Sequence, residues 1–418
     1  MHKFVIVGGK RLEGTIRVSG AKNATLPIMA ASLLSSSKSN LAEIPQLEDV
    51  RVMLYLLEYL GAKVQRDQDR VTIDSGQVKP LEVTEELMRK MRASNLIMGP
   101  LLSRFGYVRV SHPGGCAIGS RPMDLHLKGF RALGAKITER YGYIVAECEK
   151  LTGAEIHLDF PSVGATENLM MAAALARGQT VIRNAAKEPE IVDLQNFLNG
   201  MGANIKGAGT DAIKIQGVTG LGPVEHMVIP DRIEAGTHML AAAITNGDIT
   251  ITNIIPEHVE PVVAKLKEAG ITIIDGDDWI RVVGNGIIKA VDLKTMPYPG
   301  FPTDMQAQMM ALMTIAQGTS VVSESIFENR FKQIAELRRM GADIKLEGRA
   351  AIIKGVPKLS GAFVEATDLR AGAAMVLAGL AAEDVTVVEN IHHIDRGYER
   401  LEAKYRGVGA KIMRVNKN

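Results

Sequence analysis

A glycine-rich segment around Cys116 is the first part of the chain whose residue types suggest chemistry. Residues 112–122 read HPGGCAIGSRP, and the three glycines and two prolines exclude a helix interior. A thiol in an exposed loop close to Arg121 is in a setting that favours the reactive thiolate. We therefore predict a loop with a reactive Cys116. The second cysteine, Cys148, ends a strand-like apolar run and is predicted to be buried and inert.

Basic residues form a second group, because they recur where helices are predicted to begin. A helix N-terminus attracts anions, so a cation at that position is unfavourable on its own. Arginine adds paired donors that fit a phosphate or a carboxylate. We therefore predict that these basic residues bind a small polyanion, and that acidic residues at similar positions are ordinary helix-start acids. The basic residues are Lys22, Arg92, Arg121, Arg370 and Arg396, and the acidic ones are Glu48, Glu257 and Glu328.

These charged residues recur at regular distances from a repeated sequence motif. In each copy a glycine follows a predicted helix and precedes alternating apolar residues, and the spacings between glycines are 73, 68, 68, 71 and 68 residues. Such regular spacing indicates structural repeats. Each glycine is predicted to end its helix in a left-handed conformation, and each repeat is predicted to be roughly β-α-β-α-β-β. The glycines are Gly61, Gly134, Gly202, Gly270, Gly341 and Gly409.

Six repeats divide into two groups of three. This predicts two α/β domains, each with three βαβαββ repeats around a pseudo-threefold axis. The chain is predicted to cross between the domains near Gly20 and near residues 229–230. One domain would then hold residues 1–21 and 230–418, and the other would hold residues 22–229 with the Cys116 loop. The recurring charges predict an active site in the cleft between the domains.

The composition excludes several classes of protein. Among 418 residues, 49 Lys and Arg balance 47 Asp and Glu, whereas proteins that bind nucleic acid usually carry a basic excess. Two cysteines cannot form a disulfide framework, which favours a cytoplasmic location. The N-terminal apolar run is too short for a signal peptide. The longest apolar stretch, residues 371–382, is too short to span a membrane.

Ordered motifs along essentially the whole chain resemble those of the UDP-N-acetylglucosamine 1-carboxyvinyltransferases, a family of enolpyruvyl transferases. The resemblance includes the Cys116 loop and the predicted helix starts. The other matching segments are residues 19–24 (SGAKNA), 92–94 (RAS), 124–126 (DLH), 162–166 (SVGAT), 188–190 (EPE), 302–305 (PTDM), 326–330 (IFENR), 367–370 (TDLR) and 393–398 (HIDRGY).

The resemblance implies a fold of two inverted α/β domains, each of three βαβαββ repeats, in agreement with the repeat count. It implies transfer of the enolpyruvyl group of phosphoenolpyruvate to the 3′-hydroxyl of UDP-N-acetylglucosamine, with release of phosphate. This is the first committed step of peptidoglycan precursor synthesis. The expected ligands are these two small molecules, with no metal, no other cofactor, no nucleic acid and no membrane. A cytoplasmic monomer is expected.

The same resemblance assigns roles to individual residues. Asp304 matches the family's proposed base, and Cys116 matches the cysteine that fosfomycin alkylates. The resemblance implies a catalytic set of these two residues with Lys22 and Arg396. Cys116 remains compatible with three roles: a general acid, a covalent site or a product-release residue. The phosphoenolpyruvate residues are Lys22, Arg121 and Arg396 for the phosphate, Arg330 and Arg370 for the carboxylate side, and Asn23. The sugar-nucleotide residues are Asn23, Arg92, Arg121, Pro122, Met123, Asp124, Leu125, Ser162, Val163, Gly164, Asp304 and Ile326.

One position departs from the family pattern. Many members carry a basic residue before Ser162, where this chain has Phe160-Pro161.

Two other functions compete with enolpyruvyl transfer to UDP-N-acetylglucosamine. The sister enzyme that acts on shikimate 3-phosphate shares the chemistry but lacks the cysteine loop. A non-enzymatic ring of six repeats around nucleic acid fits the repeat count but not the balanced charge.

Overall fold

The chain forms two compact units. The computed structural model describes residues 2–83, 92–112 and 123–416, and of residues 92–94 it describes the backbone alone. Unit 1 holds the described residues up to Ser19 and from Pro230 onward, and unit 2 holds those from Gly20 to Ile229. The chain thus changes unit after Ser19, two residues before the predicted boundary at residue 21, and after Ile229, at the predicted boundary.

Twelve α-helices form in the described ranges. They are α1 (Lys22–Ala31), α2 (Glu48–Tyr59), α3 (Met98–Phe105), α4 (Asp124–Ala132), α5 (Val163–Ala173), α6 (Pro189–Gly200), α7 (Arg232–Ile244), α8 (Glu260–Glu268), α9 (Gln306–Met313), α10 (Gln333–Arg339), α11 (Leu369–Ala381) and α12 (Leu401–Gly407). Short 3-10 helices cover Ser32–Leu34, Arg92–Ile97, Pro256–Val259, Thr303–Met305 and Ile391–Arg396.

The strands of the described ranges are short, and most have five residues. They are β1 (His2–Val7), β2 (Glu13–Arg17), β3 (Lys38–Ala42), β4 (Lys63–Asp67), β5 (Arg70–Asp74), β6 (Tyr107–Ser111), β7 (Lys136–Arg140), β8 (Tyr143–Glu147), β9 (Glu155–His157), β10 (Gln179–Arg183), β11 (Asn204–Lys206), β12 (Ala212–Gln216), β13 (Val224–Met227), β14 (Asp248–Thr252), β15 (Thr272–Asp275), β16 (Trp279–Val283), β17 (Leu293–Lys294), β18 (Thr319–Ser323), β19 (Asp343–Glu347), β20 (Ala350–Lys354), β21 (Phe363–Glu365), β22 (Val385–Glu389) and β23 (Lys411–Asn416).

Unit 1 contains three mixed sheets of four strands. Their orders are β15-β16-β14-β2, β17-β18-β20-β19 and β21-β22-β1-β23. Each sheet has one parallel pair, namely β2 with β14, β17 with β18 and β21 with β22. A parallel pair needs a crossover connection. Helices α9 and α11 provide two of these, and the third connection runs from β2 through unit 2 and returns to β14 by α7. Strand β1 lies between β22 and β23, so the two ends of the described chain share one sheet.

Unit 2 repeats this plan with the sheets β13-β3-β5-β4, β11-β12-β10-β9 and β6-β8-β7. Val83 forms a parallel bridge to Val110 of β6 and so extends the third sheet by one residue. Each unit has its own apolar core between sheets and helices. The predicted α/β fold with three repeats in each domain is therefore confirmed.

The six repeat glycines all have a left-handed backbone. Their φ angles lie between 89° and 103°, a range that L-residues with a side chain rarely adopt. Each one follows a helix, so the predicted helix ends are correct. The glycines fix where each outer helix stops and therefore where the next strand begins.

The crossover helices α7, α9 and α11 form the centre of unit 1. Nearly every residue in them is buried, because small and apolar side chains surround each helix on all sides. Buried polar residues in such helices need hydrogen-bond partners. The first turns of α9 and α11 therefore bring polar groups together, and the candidate site lies there.

Candidate active site

Asp304 lies between two buried arginines of unit 1. Its Oδ1 accepts a hydrogen bond from Arg330 Nη2 at 2.6 Å, and its Oδ2 accepts one from Arg370 Nη2 at 2.8 Å. The side chains of Arg330 and Arg370 are 4% and 5% exposed, and that of Asp304 is 25% exposed. The structure thus brings three predicted site residues together, with the carboxylate nearest to solvent.

The cluster has more donors than its carboxylate can satisfy. Nη1 of Arg330 is buried and has no hydrogen-bond partner among the described residues. Burial alone would lower the pKa of Arg370, but Asp304, with Tyr398 and Asp231, raises it above its ordinary value. Both guanidinium groups are therefore positively charged. Two buried cations that share one carboxylate are well suited to bind a further anion.

Helix starts position the members of this cluster. Asp304 belongs to the 3-10 helix Thr303–Met305 that leads into α9. Arg370 is the second residue of α11, and the side chain of Asp368 caps that helix by accepting from the backbone N–H groups of Arg370 and Ala371. A cation at a helix N-terminus is unfavourable alone. Here the carboxylates of Asp304 and Asp368 offset the unfavourable interaction between the Arg370 cation and the helix N-terminus.

Tyr398 supports the cluster from the interior. Its hydroxyl lies 3.3 Å from Arg370 Nη1, 2.9 Å from Thr237 Oγ1 and 3.1 Å from Gln308 Nε2. Gln308 Nε2 also donates to the backbone oxygen of Asp304 at 2.8 Å. The four polar side chains behind Asp304 thus form one buried network, which restricts the orientation of Arg370 and the position of the Asp304 backbone.

Glu324 holds the neighbouring loops in place. It is 1% exposed, and its Oε1 accepts from Thr295 Oγ1 and from the backbone N–H of Ile326, each at 2.8 Å. Its Oε2 accepts from Thr303 Oγ1, also at 2.8 Å. One buried carboxylate therefore ties the segment of Ile326 to the residue that precedes Asp304.

Arg396 was predicted to lie at a helix start, and that prediction is wrong. It ends the 3-10 helix Ile391–Arg396, five residues before α12 begins, and is half-buried. It lies two residues before Tyr398 in the sequence. Its neighbour Asp395 pairs with Arg414, so that pair anchors the segment to β23.

Lys22 and Asn23 begin α1 in unit 2. Lys22 is buried, and its Nζ lies 3.6 Å from Oδ2 of Asp49 in the first turn of α2. The amine is thus at a helix start, as predicted, with a nearly buried carboxylate beside it. Asn23 is half-buried.

Six of the predicted sugar-nucleotide residues of unit 2 lie at the starts of α4 and α5. Met123 is buried at the N-terminal boundary of α4, and Asp124 and Leu125 form its first turn. Ser162 caps α5 by accepting from the N–H of Ala165, and Val163 and Gly164 follow it. Phe160, which stands where relatives of the predicted family carry a cation, is 44% exposed.

A buried hydrogen-bond network joins these two helices. Asn168 of α5 contacts His126 Nδ1 of α4 through its Nδ2 at 3.0 Å, and it donates to the backbone oxygen of Asn95 at 3.1 Å. Its Oδ1 accepts from the N–H of Gly99 at 2.8 Å. Burial lowers the pKa of His126 to about 4, so this histidine is neutral at physiological pH.

Unit 2 also contains a group of buried carboxylates. Burial raises the pKa of Glu167 well above its ordinary value, and Glu190 and Glu188 raise it further. Glu167 itself is 4% exposed. A carboxyl group in such a setting is protonated more readily than one in water.

Some predicted site residues lie outside the described part of the chain. They are Cys116, Arg121, Pro122 and the side chain of Arg92. The other cysteine, Cys148, directly follows β8 and is half-buried rather than fully buried. Burial raises the pKa of the Cys148 thiol, although Lys150 opposes this, so the inert thiol is favoured.

Sequence reasoning assigned no role to several residues that support the site. They are Tyr398, Thr237, Gln308 and Glu324. Tyr398 belongs to a quoted motif, but nothing in the sequence indicates which group its hydroxyl contacts. Thr237 and Gln308 did give a signal, because each is a polar residue within an Ala- and Met-rich helix that is otherwise buried.

Within the described ranges no group of three or more histidine, cysteine or acidic residues is arranged to hold a metal ion. None of the described helices combines the length and the apolar character that a membrane span requires.

The chain matches a family model over nearly its whole length. The model is that of EPSP synthase (3-phosphoshikimate 1-carboxyvinyltransferase), and the match covers residues 6–405. Among solved structures, the enolpyruvyl transferase NikO from Streptomyces tendae has a TM-score of 0.90 at 25% identity, with coverage of 100% of this chain and 99% of that chain. EPSP synthase from Acinetobacter baumannii has a TM-score of 0.77 at 19% identity, with full coverage of both chains, and supports the fold alone.

Curated relatives are considerably more similar in sequence. UDP-N-acetylglucosamine 1-carboxyvinyltransferase 1 of Carboxydothermus hydrogenoformans is 64% identical over 416 residues, which is 100% of this chain and 99% of the relative. UDP-N-acetylglucosamine 1-carboxyvinyltransferase of Geotalea uraniireducens is 56% identical over 415 residues, which is 99% of this chain and 100% of the relative. The fold, the paired arginines around Asp304 and these matches agree, and the chain belongs to the enolpyruvyl transferase family, within its UDP-N-acetylglucosamine 1-carboxyvinyltransferases.

Proposed function

We propose that this protein transfers the enolpyruvyl group of phosphoenolpyruvate to the 3′-hydroxyl of UDP-N-acetylglucosamine and releases phosphate. The observation that supports this most directly is the Asp304 carboxylate beside two buried arginines. A carboxylate can accept the proton of a sugar hydroxyl, and the arginines can bind the carboxylate of phosphoenolpyruvate. The test is phosphate release in a mixture of the two substrates, and absence of release would contradict the proposal.

The reaction needs an acid and a base on the two sides of the reacting carbon. The 3′-oxygen bonds to C2 of phosphoenolpyruvate as its proton passes to Asp304, and C3 gains a proton from a second group. Loss of a proton from C3 and cleavage of the C2–O bond to phosphate then give the enol ether and free phosphate. Cys116 is compatible with the acid role, with a covalent adduct and with product release.

Anion binding is divided between two sets of cations. In this proposal Arg330 and Arg370 hold the carboxylate, and Asn23 also contacts phosphoenolpyruvate. Concentrated positive charge stabilises both the bound substrate and the departing phosphate. The cations for the phosphate are Lys22, Arg121 and Arg396.

The sugar nucleotide is proposed to contact the helix starts of unit 2 and the segment around Ile326. Free N–H groups at the starts of α4 and α5 can bind the diphosphate, which compensates for Phe160 where relatives carry a cation. The contacting residues are Asn23, Arg92, Arg121, Pro122, Met123, Asp124, Leu125, Ser162, Val163, Gly164, Asp304 and Ile326.

Cys116 is proposed as the reactive thiol. Fosfomycin should alkylate Cys116 and leave Cys148 unmodified, because burial keeps the pKa of the Cys148 thiol raised. Mass spectrometry of peptides after treatment measures both sites. Labelling of Cys148 instead would contradict the assignment.

The alternative acceptor is shikimate 3-phosphate, which the name of the matching family model suggests. The Gly-Gly-Cys loop and the names of the curated relatives favour UDP-N-acetylglucosamine. Phosphate release with shikimate 3-phosphate alone would reverse this choice.

The cellular setting is also part of the proposal. We place the enzyme in the cytoplasm as a monomer that supplies peptidoglycan precursors, and hence in cell wall biogenesis, cell shape, cell cycle and division. The presence of two cysteines and the balanced charge support this setting and argue against nucleic-acid and membrane partners. Light scattering should give a mass near 45.1 kDa, and a value near twice that would contradict the monomer.

A further inference from the structure

The Asp304 carboxylate occupies the two arginines as a ligand carboxylate would. Each of its oxygens accepts one Nη2 hydrogen bond, at 2.6 Å from Arg330 and at 2.8 Å from Arg370. Two oxygens that face two guanidinium groups are the arrangement that carboxylate recognition uses. The protein therefore supplies its own anion to the groups that bind the substrate carboxylate in the proposed function.

A second observation indicates that this pairing is incomplete. Nη1 of Arg330 is buried and has no acceptor among the described residues, although the side chain is only 4% exposed. A buried charged donor without a partner is costly. The corresponding Nη1 of Arg370 lies 3.3 Å from the hydroxyl of Tyr398. Nη1 of Arg330 can thus donate a hydrogen bond to an acceptor that Asp304 does not provide.

We propose that Asp304 competes with phosphoenolpyruvate for Arg330 and Arg370, so that binding of the substrate carboxylate releases Asp304 to act as the base. This inference rests on the proposed function and concerns the order of events at the same site. Asp304 is suited to leave, because it is the most exposed member of the cluster. The arginines are suited to stay, because they are buried and one of them is held by Tyr398.

The exchange links substrate binding to catalysis. A carboxylate between two guanidinium groups is stabilised in its charged form and is a weak base. Once the substrate carboxylate takes over those hydrogen bonds, Asp304 gains basicity and can accept the proton of the sugar hydroxyl. The sugar is then activated only when phosphoenolpyruvate is already bound.

The test measures phosphoenolpyruvate binding without sugar nucleotide, so that no turnover occurs. In Asp304→Asn and in Asp304→Ser the internal competitor is removed, and isothermal titration should give a Kd about tenfold lower than for the wild type. The gain has this size if the arginines are free of Asp304 in about one tenth of wild-type molecules. An unchanged or higher Kd in both variants would overturn the proposal, and the second variant covers the case in which the first does not fold.

Two controls separate competition from a general gain of positive charge. Asp343→Asn removes an exposed carboxylate at the start of β19 in the same unit and should leave the Kd unchanged. Inorganic phosphate, which lacks a carboxylate, should gain less affinity than phosphoenolpyruvate in the Asp304 variants. Equal gains for the two anions would show that charge alone is responsible and would overturn the inference.

Failure of this inference can be distinguished from failure of the proposed function. If the wild type releases phosphate from its substrates but the Asp304 variants bind phosphoenolpyruvate no more tightly, the function stands and the competition is wrong. If the wild type neither binds phosphoenolpyruvate nor releases phosphate, the proposed function is wrong and the inference falls with it.

Discussion

Two buried glutamates occupy nearly equivalent places in the repeats of the two units. Glu167 lies on α5 of unit 2, 35 residues before Gly202, and Glu234 lies on α7 of unit 1, 36 residues before Gly270. Their exposures are 4% and 2%. Burial alone would raise the pKa of both carboxyl groups. Any difference between the two pKa values therefore comes from the neighbouring residues.

The neighbours shift the two pKa values in opposite directions. Glu190 and Glu188 add to the effect of burial on Glu167, whereas Lys404 and His238 overcome it and lower the pKa of Glu234 to about 2. The same repeat therefore produces a carboxyl group with a raised pKa in one unit and a charged ion pair in the other. Unit 1 pairs the charge of Glu234 internally, whereas in the Asp304 cluster of the same unit one buried donor, Nη1 of Arg330, has no acceptor among the described residues.

The largest expected effect concerns that cluster. Asp304→Asn removes the proposed base and should lower kcat about a thousandfold, within the range typical of general bases. Because the same change removes the competitor, the KM for phosphoenolpyruvate should not rise. Steady-state kinetics measure both quantities, with Asp343→Asn as the matched control. A variant that keeps more than a tenth of the wild-type kcat would contradict the assignment of the base.

The second-largest effect is a loss of stability when the ion pair between Glu234 and Lys404 is broken. Lys404 Nζ donates to Glu234 Oε1 and to Ser19 Oγ, the latter at 2.8 Å. Lys404→Met should lower the free energy of unfolding by roughly 3 kcal/mol at pH 7, because removing one partner of a buried ion pair leaves an uncompensated buried charge and costs about 3–5 kcal/mol. Urea denaturation measures the change.

The stabilisation that the Glu234 ion pair provides should decrease as the pH falls. The folded pKa of Glu234 is below the unfolded one, so its contribution is present above about pH 4.5 and is lost as the pH falls towards about 2. The difference between the wild type and Lys404→Met should shrink over that window. Lys345→Met, which breaks an exposed pair with Glu347, should leave stability unchanged. A pH-independent difference would refute the ion-pair explanation.

A smaller effect, on the KM for phosphoenolpyruvate, is expected from Tyr398, whose hydroxyl contacts Arg370. Tyr398→Phe removes the hydroxyl that contacts Arg370, Thr237 and Gln308. Loss of the contact to Arg370, worth about 1 kcal/mol, should raise the KM for phosphoenolpyruvate about fivefold without changing that for the sugar nucleotide. Tyr405→Phe is the control, since this buried hydroxyl contacts His238 at 3.3 Å. Equal changes in both KM values would indicate a general structural defect rather than a positioning role.

The smallest expected effect is a gain of stability in unit 2. Glu167→Gln replaces a carboxyl group whose pKa is raised by burial and by Glu190 and Glu188. Such a group contributes stability at low pH and loses it as the pH rises through its folded pKa. The variant should therefore melt a few degrees higher at pH 8 and no higher at pH 4. Glu225→Gln, at an exposed position of β13, is the control, and a loss of stability at pH 8 would contradict the comparison.

The comparison also shows which features the sequence can predict. The repeat glycines, the three-repeat units and the positions of Lys22 and Arg370 at helix starts follow from local patterns, and the structure confirms them. The different charge states of Glu167 and Glu234 do not follow from local patterns. Lys404 is 170 residues from Glu234 in the sequence, so only the tertiary fold reveals the pairing.

The hydroxyl network behind Arg370 was missed for the same reason. Thr237 and Tyr398 are 161 residues apart, and the contact depends on how α7 packs against the segment that follows the 3-10 helix Ile391–Arg396. The motif that contains Tyr398 identified the family without indicating what the side chain does.

The central claim is enolpyruvyl transfer to UDP-N-acetylglucosamine, and the most direct test is phosphate release with each of two acceptors. Purified protein is mixed with phosphoenolpyruvate and either UDP-N-acetylglucosamine or shikimate 3-phosphate, and kcat/KM is measured for each acceptor. Our account predicts release with UDP-N-acetylglucosamine and none with shikimate 3-phosphate. Release with shikimate 3-phosphate alone, or with neither acceptor, would contradict it.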